Sequence, residues 1–287
     1  MDELALANRF TLERRHLRAV AYRILGSLSE ADDAVQEAWL RLQRTGADEI
    51  DNLEGWLTTV VARICLNMLR ARSTRREQPL DGFVPEPLVS PATGEDPEYE
   101  ALLSDAVGVA LQVVLDTLAP AERVAFVLHD MFAVPFDEIA TLLDRSPQAT
   151  RQLASRARQR VQDTAPAPDV DIRAQRTIVE AFFAASRDGD LDALVAVLDP
   201  DVVIRNHHHE RVTELRGAEQ AARGALQFSR FAPFVQPALI NGAAGVVAFD
   251  GERPFALLAF TVQGGRAVAI DIFNDRELVP KLVQHAR

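Results

Sequence analysis

The chain has 287 residues, more than one small domain needs, so two or three domains are expected. Apolar residues make up 48%, enough for each domain to bury a core, and the formal net charge of −11 argues against a protein that coats nucleic acid with its whole surface. A single cysteine, Cys65, excludes an internal disulfide, and no run approaches the roughly 20 apolar residues of a membrane span. The opening MDELALANRF lacks the basic-then-apolar layout of a secretory leader, so a cytoplasmic setting is expected.

In chain order, the first expected domain is 1–76, where residues 9–76 carry apolar side chains at the helical period of 3.6. In SEADDAVQEAWLRL, Ser29 suits an N-cap. Ala31, Val35, Ala38, Trp39 and Leu42 form a stripe to bury. The opposite face holds Asp33, Gln36, Glu37 and, unexpectedly, Leu40. It is either a solvated face with one stray leucine or an acidic docking face for a basic protein partner. The next helix has its core stripe at Leu57, Val60, Val61, Ile64 and Met68, with Cys65 as a small buried neighbour. Along its edge run Trp56, Thr59, Arg63, Asn67 and Arg70, continuing into Arg72. An aromatic ring followed by a seam of cations suits single-stranded or melted DNA. Core packing is the other reading of Trp56.

Residues 77–101 hold five prolines with several acids and read as a linker, although Phe83, Val84, Leu88 and Val89 could dock on a neighbour. Helical periodicity returns over 102–163. There PFDEIATLLDRSPQATRQLASRARQRV predicts a helix-turn-helix. Ile139, Ala140, Leu142 and Leu143 form the buried face of its first helix. Asp144-Arg145-Ser146 is the short turn, with Ser146 as N-cap and Pro147 in the first turn of the second helix. On that helix Thr150, Leu153, Ala154, Ala157 and Val161 share one side, and Gln148, Arg151, Gln152, Ser155 and Gln159 lie opposite. Gln and Arg make paired hydrogen bonds to adenine and guanine edges in the major groove. The flanking Arg156, Arg158 and Arg160 suit phosphates. A surface helix with solvated arginines is the plain alternative.

TAPAPDVD at 164–171 is a second, stiff linker. The last expected domain, 172–287, predicts helices over about 173–187 and 190–198, a short strand at Val202–Arg205 and a helix over about 217–229. Four β-rich runs follow, with Asp250-Gly251 and Gly264-Gly265 as hairpin turns. Helices followed by an antiparallel meander indicate α+β. His207, His209 and Asp271 are the candidate pocket residues of this domain, on strand geometry alone. His207 and His209 share a face at a spacing too weak to imply a metal.

These segments resemble a known family. SEADDAVQEAWLRL resembles the polymerase-docking helix of bacterial sigma factor region 2, and GWLTTVVARICLNMLR the −10-element helix that follows it. The stretch from LAPAERVAF to RARQRV resembles region 4, which reads the −35 element. Two such blocks with no region 3 between them are similar to the extracytoplasmic-function (ECF) sigma factors. Residues 173–287 resemble the SnoaL-like, NTF2-like α+β cone that one type of ECF factor carries after region 4, and Pro85-Glu86-Pro87 resembles the Pro-Glu-Pro linker of that type. The resemblance implies two all-α domains and an α+β cone. It implies no catalysis, no cofactor and no metal. Its partners would be core RNA polymerase, docked through Asp33, Gln36, Glu37 and Leu40, and promoter DNA. The −35 readers would be Gln148, Arg151, Gln152, Ser155, Arg156 and Arg158, and the −10 readers Trp56, Arg63, Asn67, Arg70 and Arg72. The fused domain would regulate the factor through intramolecular contacts with the sigma domains or their linker. The competing reading is a helix-turn-helix regulator fused to a ligand-binding or enzymatic NTF2-like domain.

Overall fold

The computed structural model describes residues 3–45, 50–75, 86–91, 109–164, 169, 171–208 and 211–284. Three helices come first, α1 (Glu3–Leu25), α2 (Leu28–Thr45) and α3 (Leu53–Arg75). Ser27, not Ser29, caps α2: its Oγ accepts from the Glu30 amide at 3.4 Å, and Ser29 shares a hydrogen bond with it at 3.0 Å. Asn52 caps α3, its Oδ1 accepting from the Gly55 amide at 3.1 Å. The stripe of α2 is buried as its period requires, at Ala31, Ala34, Val35, Ala38 and Leu42. Trp39 is half-buried, its ring 5.0 Å from that of Phe10.

Four more helices follow: α4 (Val109–Thr117), α5 (Pro120–Phe126), which runs into a π turn at Val127–Met131, α6 (Phe136–Leu143) and α7 (Pro147–Thr164). Proline opens both α5 and α7, where its missing N–H costs nothing. Asp144 ends α6 in the left-handed region at φ 55°, and Ser146 Oγ accepts from the Ala149 amide at 3.2 Å to start α7. The expected turn and cap therefore lie where the sequence places them.

Helices α1–α3 and residues 114–164 belong to one compact unit. Within it Arg123 of α5, 2% exposed, forms an ion pair with Asp116 and donates from Nη2 to the Arg23 carbonyl near the C-terminus of α1 at 3.4 Å. That helix end carries partial negative charge, which favours the cation. Beside it the His16 ring meets Phe132 edge-on at 5.4 Å. Cys65 is fully buried, and burial pushes its thiol pKa up, so it stays a packed, protonated thiol.

The second compact unit comprises residues 81–113 and 165–287. Its described elements are β1 (Val89–Pro91), α8 (Ile172–Asp188), α9 (Leu191–Val197), β2 (Leu198–His208), β3 (Arg211–Arg216), α10 (Ala218–Gln227), β4 (Val235–Ile240), β5 (Ala243–Asp250), β6 (Arg253–Gln263), β7 (Arg266–Phe273) and α11 (Leu278–Gln284). Asp171 and Asp190 cap α8 and α9 through their carboxylates. The sheet order is β1-β4-β5-β6-β7-β2-β3. All neighbours are antiparallel except β2 and β7, so the meander is part of a mixed sheet. One face packs on α8–α10 around Phe182, Phe260 and Ile270. The other builds a second core from Val247, Leu257, Phe273 and Val279. Three features were not expected: β3, α11, and β1. The last lies in the stretch read as a linker and pairs with β4 in the register Val89↔Ile240, Ser90↔Leu239 and Pro91↔Ala238.

Removing one partner of a buried ion pair strands the other charge. Arg123→Ala should lower the stability of the helical unit by about 3 kcal/mol. Urea unfolding of the full chain, followed by helical circular dichroism, checks this, with a midpoint unchanged from wild type as the contrary result.

Candidate nucleic-acid interface

Helix α7 is two-faced. Thr150, Ala154 and Ala157 are fully buried, while Gln148, Arg151, Gln152, Ser155 and Gln159 are exposed on the other side. The guanidinium of Arg151 lies 5.5 Å from the centre of the Phe136 ring, a cation–π contact that limits its rotamers without burying its donors. The flanking arginines are engaged within the same module. Arg158 binds Asp130 at 2.8 Å, Arg160 binds Glu122 at 3.2 Å, and Arg156 lies 3.9 Å from Glu122. Arg156 remains exposed and Arg158 half-buried.

On α3, Arg63, Asn67 and Arg70 are exposed at successive helical steps, which makes the seam continuous. Trp56 is half-buried at its upper end. With Thr45, Thr59 and Val60, it lines a basin of about 370 Å³ together with Arg41, Arg44 and Arg63. The two α2 arginines were not singled out from the sequence. They are three residues apart in the last turns of α2, so their common face was readable, but the link to Trp56 is tertiary. Arg72 departs from the expected seam. It forms an ion pair with Glu30 and donates to the Leu25 carbonyl at 3.1 Å, tying α3 to α1 and α2.

The residues expected to form a docking face lie on α2. Asp33 and Gln36 are exposed, Leu40 is 39% exposed, and Glu37 is half-buried and pairs with Arg41 at 3.0 Å.

In the C-terminal unit the alternation of β2 and β7 sorts the side chains between two faces. Ile204, Asn206, Ile270, Ile272 and Asn274 line a cavity on the helix-covered side. Arg205, His207 and Asp271 therefore point the other way. This corrects the expectation that His207 and Asp271 line a pocket; His209 lies outside the described residues. Asp271, 0% exposed, accepts from His207 Nε2 at 2.8 Å and lies 3.4 Å from Arg205 Nη1. The His207 ring stacks on Phe273 with centroids 4.4 Å apart. A buried carboxylate with two such partners is a packed ionic cluster of the sheet. It has no access to the cavity. Among the described residues no group of three or more His, Cys, Asp or Glu could hold a metal ion.

Comparison with known proteins agrees with this division. The family model described as Sigma-70 region 2 matches residues 10–75, covering α1–α3, and that described as Sigma-70, region 4 matches residues 108–161. The ECF RNA polymerase sigma factor SigJ of Mycobacterium tuberculosis (strain ATCC 25618 / H37Rv) is 40% identical over an alignment of 284 positions that covers 92% of this chain and 90% of that protein. The chain belongs to the ECF RNA polymerase sigma factors. A probable ECF RNA polymerase sigma factor, SigI of Mycobacterium tuberculosis (strain CDC 1551 / Oshkosh), is 35% identical over 260 residues, with 90% and 89% of the two chains covered. The crystal structure of Mycobacterium tuberculosis SigJ superposes with a TM-score of 0.77 at 36% identity, over 95% of this chain and 97% of that one. That coverage includes the C-terminal α+β cone, so the sigma factor carries it as part of the same architecture. No described helix is long and apolar enough to cross a membrane.

Proposed function

We propose that this sigma factor reads promoter DNA with two separate faces and is regulated through the segment that joins them. Gln148, Arg151, Gln152 and Ser155 read the −35 element in the major groove, with Arg156 and Arg158 supplying phosphate contacts once their acids exchange for the backbone. Trp56, Arg63, Asn67 and Arg70 hold the melted −10 strand, and Arg41 and Arg44 widen that site. Bases stack or wedge on the indole while the arginines neutralise phosphates. Asp33, Gln36, Glu37 and Leu40 dock core RNA polymerase by charge with one apolar anchor. Arg72 acts on DNA only indirectly, by fixing α3 in its bundle. The work is done in the cytoplasm, where polymerase and promoter meet.

Reach is the physical argument for regulation. The two elements lie roughly 25 base pairs apart, about 85 Å of duplex at 3.4 Å per step. The longest helices of the two modules, 23 and 18 residues, span about 35 and 27 Å at 1.5 Å per residue. Modules that touch through Arg123 and the Arg23 carbonyl fall short of both elements at once. They part on the promoter, and the intervening chain sets how far. The observation that carries the regulatory reading is the pairing of that chain with the C-terminal sheet. Leu88 donates its amide to Asn241 Oδ1 at 2.6 Å, its carbonyl accepts from the Asn241 amide at 2.8 Å, and β1 continues the ladder along β4. Residues held in a sheet edge are lost to the linker, which alters the effective concentration of the second reader.

Run-off transcription with purified core polymerase tests these roles. Arg151→Ala should cost roughly 1–3 kcal/mol of discrimination at one −35 base pair; unchanged selectivity at every −35 position contradicts the assignment. Trp56→Ala should slow strand opening at −10, read by 2-aminopurine fluorescence, with −35 duplex binding preserved. Opening at the wild-type rate would remove Trp56 from the site. Leu88→Asp places a charge at a position only 1% exposed and should release β1. Transcript yield should then change across a series of promoters with altered −10 to −35 spacing, and an identical spacing profile would refute regulation through the linker.

A further inference from the structure

The cavity of the C-terminal unit has a volume of about 240 Å³. Phenylalanines 182, 183, 228, 231 and 255 and the sheet residues Ile270 and Ile272 dominate its walls, and no lining side chain ionises. Polar groups are few. Asn206 and Asn274 reach it together, the Asn274 amide donating to Asn206 Oδ1 at 3.4 Å. Among the acid–base groups of β2 and β7 nearby, His207 and Asp271 face the opposite side of the sheet and are bound to each other, while the exposed His208 is not part of the cavity wall and bonds through Nδ1 to Asn274 Oδ1 at 2.9 Å.

One residue marks the space as selected. Gly224 lies inside α10, where glycine weakens a helix relative to alanine. Its backbone is not in the left-handed region, and a Cβ built on it would meet nothing within 4 Å. Neither conformation nor close packing requires glycine there. The volume it leaves open belongs to the cavity, which Gly224 lines.

We infer that this cavity binds a neutral, mostly apolar molecule of one or two rings carrying a single hydrogen-bonding group, and holds it without chemical change. Size sets the first limit: an apolar cavity of roughly 150 Å³ accepts benzene, and the volume here has room for a second fused ring. Charge sets the next, because an ion entering walls without a counter-charge loses its hydration uncompensated. The Asn206–Asn274 pair fixes orientation: Asn274 is held by Asn206 and His208, which leaves the Asn206 amide as a donor and the remaining lone pairs of the two carboxamide oxygens as acceptors for one hydroxyl or carbonyl. Phe228, 64% exposed although it lines the cavity, forms the rim by which the molecule enters.

The test uses the full chain with naphthalene, 2-naphthol and 2-naphthoate as probes, followed by calorimetry and probe fluorescence. Saturable binding of 2-naphthol with a stoichiometry of one, tighter than naphthalene and at least tenfold tighter than 2-naphthoate, is expected. Gly224→Leu should abolish 2-naphthol binding while leaving the thermal midpoint equal or higher, and Leu258→Trp should fill the same cavity from the sheet side with the same loss. Asn206→Leu should reduce 2-naphthol to the affinity of naphthalene. The inference is overturned if neither neutral probe saturates, if 2-naphthoate binds as well as 2-naphthol, or if both filled variants fold and still bind.

Discussion

The arrangement of the two DNA-reading modules depends on one buried cation. Arg123 is held between the carboxylate of Asp116 and the Arg23 carbonyl near the end of α1, and it sits where region 4 meets the region 2 bundle. A guanidinium taken out of water must find partners nearby, so this contact favours one geometry over many loose ones. The packing leaves both proposed reading faces open: Arg151, Gln152 and Ser155 on α7 and Arg63, Asn67 and Arg70 on α3 are all exposed. What it limits is the distance between them. Affinity for a bipartite promoter then depends on the free energy of parting the modules as well as on the contacts each one makes.

The C-terminal unit divides its labour by the period of two along its strands. Odd-numbered positions of β2 and β7 build the ionic cluster Arg205–Asp271–His207 on one face, and even-numbered positions build the apolar cavity on the other. His207 Nε2 and the Asp271 carboxylate are bound to each other within the packing of the sheet. At the same time the open edge of β4 takes up residues 89–91, so the unit meets the joining segment through main-chain bonds, with Asn241 adding a side-chain acceptor.

The helix-turn-helix was legible because local signals agreed. A short turn, Ser146 as cap, Pro147 behind it and a clean division of faces all act within a few residues. The helical bundle was legible from its period alone, though the cap fell on Ser27, whose hydroxyl accepts from the Glu30 amide and bonds the Ser29 hydroxyl. What the sequence hid was tertiary. Strand β3, RVTELR, has no buried side to give it an alternating pattern, and Val212 and Leu215 are both exposed. The three residues of β1 are too few to carry any period, and their partner is about 150 residues away. Asn241-Gly242 is a further hairpin signal in the sequence, with both residues at positive φ. Arg72 looked like the end of a seam because it lies beyond Arg70. Only the packed bundle shows that Glu30 and the Leu25 carbonyl claim it. His207 and Asp271 drew attention as polar groups among apolar neighbours, but alternation by itself could not say which side of the sheet held the cavity.

The most direct test of this account is the distance between the two reading modules, measured by pulsed dipolar spectroscopy on spin labels at Ala71→Cys of α3 and Gln162→Cys of α7. Both positions are exposed, and the native Cys65 is buried with a protonated thiol, so the labels report the intended sites. The account predicts one short distance in the free chain and a clearly longer one in the complex with core polymerase and promoter DNA. The same distance in both states would contradict it.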